Sequence, residues 1–100
     1  MLLLIPMDRD DTQEGRLVKI YDAKTWAVVE VEEGRVVEIN FYPDRDAIEE
    51  WLDAIIVEND FEPVMEFMEM QMMVLVAHHQ RTIDEIVEAY LFRELHQMAI

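Results

Sequence analysis

The chain is 100 residues long, with 23 acidic against 8 basic side chains, a formal net charge of -15 and 52% apolar residues. That length and apolar content suffice for one core, so a single domain over residues 1–100 is expected. The absence of cysteine excludes disulfides, thiolate zinc sites and cysteine-held iron–sulfur clusters; the negative field disfavours nucleic acid and anionic lipid as partners, and no run approaches the ~20 apolar residues that cross a bilayer.

Leu2, Leu3, Leu4 and Ile5 form a continuous apolar run that suits a strand covered on both faces. Residues 1–7 lack a basic flank and a small-residue cleavage site, so they read as the first buried strand of a cytoplasmic protein. A charged loop beginning Asp8, Arg9, Asp10, Asp11 ends at Gly15. From Trp26, Ala27, Val29 and Val31 alternate with Glu30 and Glu32; after Glu33-Gly34, Val37, Ile39 and Phe41 alternate with Glu38 and Asn40. The two runs predict an antiparallel hairpin.

Pro43 and Asp44, a candidate N-cap, predict a short helix with Ala47, Ile48, Trp51 and Leu52 inside. Ala54, Ile55, Ile56 and Val57 predict a fourth strand, and Pro63 opens a second helix with Val64, Phe67 and Met68 on one face. A fifth strand is expected over residues 73–77. Thr82 and Glu85 fit a capping box for a last helix burying Ile83, Ile86, Val87, Tyr90, Leu91 and Leu95. The order β-β-β-α-β-α-β-α, with right-handed crossovers, predicts an α/β fold of the ribonuclease-H-like kind: a five-stranded mixed sheet, parallel at its centre, with three helices.

From Lys19 onward the chain resembles the dinitrogenase iron-molybdenum cofactor biosynthesis family. Ile20-Tyr21-Asp22-Ala23-Lys24-Thr25-Trp26-Ala27-Val28-Val29-Glu30-Val31 looks like the segment where that family has Phe-Gly-Arg-Ala-Pro-Tyr-Phe before its second strand, with Ala23 and the aromatic Trp26 holding the pattern. Glu33-Gly34-Arg35-Val36-Val37-Glu38 is similar to its hairpin turn, and Leu52-Asp53-Ala54-Ile55-Ile56-Val57 to its fourth strand. Thr82-Ile83-Asp84-Glu85-Ile86-Val87-Glu88-Ala89-Tyr90-Leu91 resembles the helix that closes the family's domain. The chain departs from the family at three glycines, with Glu62 before Pro63, Gln71 before the last strand and Arg81 before Thr82. Glycine there lets backbone approach a ligand closely.

Ligands of open mixed sheets sit beyond the carboxyl ends of the parallel strands. Three loops are expected to converge there, carrying Asp8, Arg9 and Asp10; Glu58, Asn59 and Asp60; and His78, His79 and Arg81. Imidazole suits transition metals, and His79 with Asp8 and Glu58 forms a candidate metal set. A solvated pair at a strand end is the other reading of His78 and His79, and the one preferred for a His pair without a motif; His96 reads as a surface residue or C-terminal dipole partner on the last helix.

The family resemblance implies a small non-enzymatic carrier or accessory protein, and as ligand a molybdenum- or iron-containing cluster. His78, His79, Arg9 and Arg81 would then form the positive patch that receives it. Two other readings stay open. Asp8 with Glu58 or Asp60 falls roughly where metal-dependent nucleases of ribonuclease-H-like fold hold two cations, although no basic groove accompanies them. A protein-interaction or regulatory module, or a homodimer, would use Met65, Met70 or the edge of the hairpin.

Overall fold

The computed structural model describes residues 1–98. Strands β1 (Leu2–Met7), β2 (Thr25–Glu32), β3 (Arg35–Tyr42), β4 (Ala54–Val57), β5 (Met73–Val76) and β6 (His96–Gln97) form one six-stranded sheet in the order β3-β2-β1-β4-β5-β6. Helices α1 (Met65–Glu69) and α2 (Ile83–Leu91) complete the mixed α/β fold. Parallel pairing of β1 with β4 and of β4 with β5, with the β2–β3 hairpin antiparallel beside β1, matches the expected arrangement. The count differs: among the described residues, six strands and two α-helices replace the expected five and three.

Apolar alternation sorts the sheet into two buried faces. Leu3, Ile5, Ala27, Val29, Ala54, Ile56, Leu75 and Ala77 pack with Ile83, Ile86 and Val87 of α2. Leu4, Trp26, Val28, Ile55, Val57, Val74 and Val76 pack on the other side with Val64, Phe67 and Met72, around α1. Strands buried on both faces read as unbroken apolar runs, which is why 2–5 and 54–57 were legible as central.

The missing helix follows from span. The chain must cross from the edge strand β3 to β4 on the far side of β1, three strand spacings of about 4.8 Å each, and also run back along the sheet. A helix rising about 1.5 Å per residue barely covers that distance with the residues available. The segment makes one 3-10 turn at Arg45–Ala47, with Asp44 accepting from the Asp46 N–H at 3.1 Å, and then extends. Ile48 and Leu52 still reach the core, whereas Trp51, expected inside, is 87% exposed.

Both α-helices end in the same way. In α1, Met72 N donates to Phe67 O and Gln71 N to Met68 O; in α2, Glu94 N donates to Ala89 O and Arg93 N to Tyr90 O. These paired bonds require a left-handed residue after the cap, and Gln71 (φ 63°) and Arg93 (φ 58°) adopt it. Gln71 therefore stands where glycine would be unstrained. The turn after α2 leaves Leu91 exposed, returns Leu95 to the core and sends the chain into β6, so His96 lies on a strand and not on the last helix.

The capping box of α2 forms as expected: Glu85 N donates to Thr82 Oγ1 at 3.2 Å, and Glu85 Oε1 accepts from Arg81 N at 3.0 Å and Thr82 N at 3.2 Å. These bonds hold the Glu85 carboxyl below its ordinary range, the Arg81 N–H being the largest cause.

Two predictions follow from the helix ends. Gln71→Gly should raise unfolding free energy by about 0.5–1 kcal/mol in urea titration, relief of left-handed strain outweighing added unfolded-state entropy. A carboxyl with a lowered folded value adds stability above its unfolded value and loses it as pH falls through the folded one. The stability gap between wild type and Glu85→Gln should thus be widest near neutrality and close in acid; a gap independent of pH would contradict the capping role.

Candidate functional site

Because β1, β4 and β5 are parallel neighbours, the loops that leave them at Asp8, Glu58 and Ala77 lie at one edge of the sheet. The edge is shared, but the side chains divide. Continuing the strand alternation sends Asp8 and His78 toward the α1 face and Glu58 and His79 toward the α2 face.

His79 lines a cavity of about 330 Å³ with Asp84, Glu85, Glu88 and Glu94 from α2 and the turn after it. Asp8 and Arg9 line a different cavity with Asp10, Lys24 and Phe41. Among the described residues no three His, Asp or Glu side chains converge as a metal site. The set His79, Asp8 and Glu58 shares an edge without being gathered around one point.

Several of the expected ligands already have work in the loops. Asp8 Oδ1 accepts from Arg16 N at 2.8 Å, and its other oxygen lies 3.5 Å from Arg9. Asp11 accepts from the Gln13 and Glu14 N–H groups at 2.8 Å each, and those bonds, that from Glu14 first, hold its carboxyl below the usual range. Gly15 closes this loop where no side chain fits, since a Cβ there would stand 2.6 Å from Asp11 O and 2.9 Å from Arg9 O.

Arg81 is tied down more firmly. Its guanidinium donates to Ala77 O (2.9 Å), Gln80 O (2.8 Å) and His78 O (3.2 Å), while its own carbonyl accepts from Leu17 N (2.7 Å). It organises the turn that presents His78 and His79.

Two features at this edge lie outside any local pattern. His96, placed on β6 opposite Val76, brings its ring 6.5 Å from that of His78, which is 6.4 Å from His79, so the three histidines of the chain cluster. His78 Nε2 also stands 3.0 Å from Asp60 Oδ1. Beside them, Phe61 is 95% exposed, projected by a turn in which its N–H donates to Asn59 Oδ1 at 2.8 Å. Tyr21 is 85% exposed on the segment that Ile20 N anchors to Glu62 Oε1 at 2.8 Å. Edge geometry thus offers imidazole, carboxylate and aromatic groups, all open to solvent.

No family model matches the chain, and no curated protein does. Solved structures do resemble it along its whole length. A crystal structure of a protein described as a "putative dinitrogenase", MJ0327 from Methanocaldococcus jannaschii, superposes with a TM-score of 0.79 at 20% identity, covering 99% of this chain and 95% of that one. An NMR structure described in the same words, from Methanococcus jannaschii, gives 0.78 at 20% identity with 100% and 94% coverage. The crystal structure of PH0822 gives 0.75 at 14% identity with 98% and 96% coverage. At these identities the likeness establishes the fold.

Arg81→Ala should lower unfolding free energy by about 2 kcal/mol, because three carbonyls lose a charged donor. Amide exchange should rise over residues 77–80. Unchanged exchange there would show that the guanidinium is not what holds the turn.

Proposed function

We propose that the chain is a small, non-enzymatic, cytoplasmic accessory protein of the dinitrogenase iron-molybdenum cofactor kind. In this reading its sheet is of the ribonuclease-H-like class and its ligand is a metal or metal–sulfur cluster met as transient cargo. The observation that carries the reading is the end-to-end likeness to a protein described as a "putative dinitrogenase", joined to the resemblance of residues 20–31, 33–38, 52–57 and 82–91. The strand order β3-β2-β1-β4-β5 supports the sheet class.

Cargo is preferred to a resident cofactor on chemical grounds. The residues do not fit a preformed centre: no three donors converge among the described residues, Arg81 has its charge engaged by carbonyls, and four carboxylates share the cavity of His79. A polyanionic cluster would meet that field at close range, and salt screens it only beyond about 8 Å. An exposed imidazole can still take an open coordination position on a cluster whose other ligands come from elsewhere. His78 and His79 would be those ligands, with Arg9 and Arg81 as nearby cations and Asp8 and Glu58 as flanking carboxylates.

Elemental analysis of the protein as purified, followed by thermal shift with molybdate, zinc and copper, tests the reading. A ligand well above its dissociation constant should raise the midpoint by about 3 °C or more. His78→Ala/His79→Ala should abolish the rise. No shift with any metal species, or a shift retained in the double variant, would overturn the assignment.

A further inference from the structure

On the α1 face of the sheet, the chain between β3 and β4 and helix α1 leave a groove of about 320 Å³. Leu4, Phe67 and Met72 form its buried base, with Leu52 beside them. Leu52 and Met72 lie just before β4 and β5, so one end of the groove opens at the amino ends of the parallel strands, and none of the three histidines lines it. Trp51 and Met70 line it while remaining 87% and 53% exposed. The chain's other tryptophan, Trp26, is buried.

The electrostatics are one-sided. Arg45 lines the groove, but its guanidinium lies 4.9 Å from the Phe67 ring centroid and 5.3 Å from that of Trp26, and it pairs with Glu66 at 2.9 Å. Asp46 and Glu50 line the groove as well, and no cation pairs with either among the described residues. The groove therefore has an apolar base, an adaptable methionine and tryptophan lip, and a negative rim.

We propose that this groove docks an amphipathic helix of a partner protein, its apolar side chains entering against Phe67 and Met72 and its lysines or arginines meeting Asp46 and Glu50. Methionine-lined grooves re-pack around such helices, and tryptophan is the residue most often found as an interface anchor. Covering the outward faces of Trp51 and Met70 as well as the buried base takes an occupant that extends beyond the groove, as a helix laid along it does and a small molecule held inside it does not. A second copy of the chain is disfavoured because each carries a net charge of -15 and the same acidic rim.

The probe is a short fluorescent leucine–lysine peptide with its leucines at helical i, i+3, i+4, i+7 spacing, followed by anisotropy. Controls are a permuted peptide of the same composition and a leucine–glutamate version. The amphipathic basic peptide should bind wild type, the permuted one about tenfold more weakly, and the acidic one not at all. Trp51→Ala should weaken binding about tenfold, while Phe61→Ala, an equally exposed aromatic at the other edge, should leave it unchanged; circular dichroism checks that both variants fold. Equal binding by wild type and Trp51→Ala, equal binding of the permuted peptide, or a dimer in sedimentation that Trp51→Ala dissociates would each overturn the proposal.

Discussion

The side-by-side parallel alignment of β1, β4 and β5 is the constraint on which the rest of the molecule depends. These strands are buried on both faces, so each must be apolar throughout and each face needs its own cover. α2 supplies one cover; α1 and the extended chain before β4 supply the other. The same alignment forces every crossover to begin at one sheet edge and return at the opposite one.

Acid abundance has a structural use that tempers its reading as chemistry. Asp8, Asp11, Asp44, Asp53, Glu62 and Glu85 each accept a backbone N–H in a loop or at an element end. Asp53 Oδ2 takes the Leu2 N–H at 2.7 Å, pinning the start of β1 beside the start of β4. Charged acceptors of backbone donors are stronger than neutral ones. A chain with two glycines and three prolines shapes its loops largely with carboxylates.

Two of the positive charges are similarly committed. Arg45 is layered near two aromatic rings and Arg81 is threaded into a turn, so Arg81 is not the free cation of the expected positive patch. What remains available to a ligand at the histidine edge is imidazole, aromatic faces and the Asp60 carboxylate. That composition suits a partner that brings its own coordination or its own cations better than a free anion. The two ends of the protein thus differ in kind, one set by side chains that can donate electron pairs, the other by apolar volume ringed with acid.

Local pattern alone determined the central strands, the hairpin at Glu33-Gly34 and the capped last helix, because periodicity and capping act over a few neighbouring residues and need no distant partner. It also located the loops of the candidate site, since strand direction follows from element order. Tertiary structure decided the rest. Whether residues 45–52 coil or extend depends on the distance from β3 to β4, which no short window contains. β6 is two polar residues held by Val76 and Leu75, so His96 joined the histidine cluster through pairing and not through pattern. His79 and Asp8 line different cavities, and Arg81 is engaged by carbonyls that only the folded turn brings within reach.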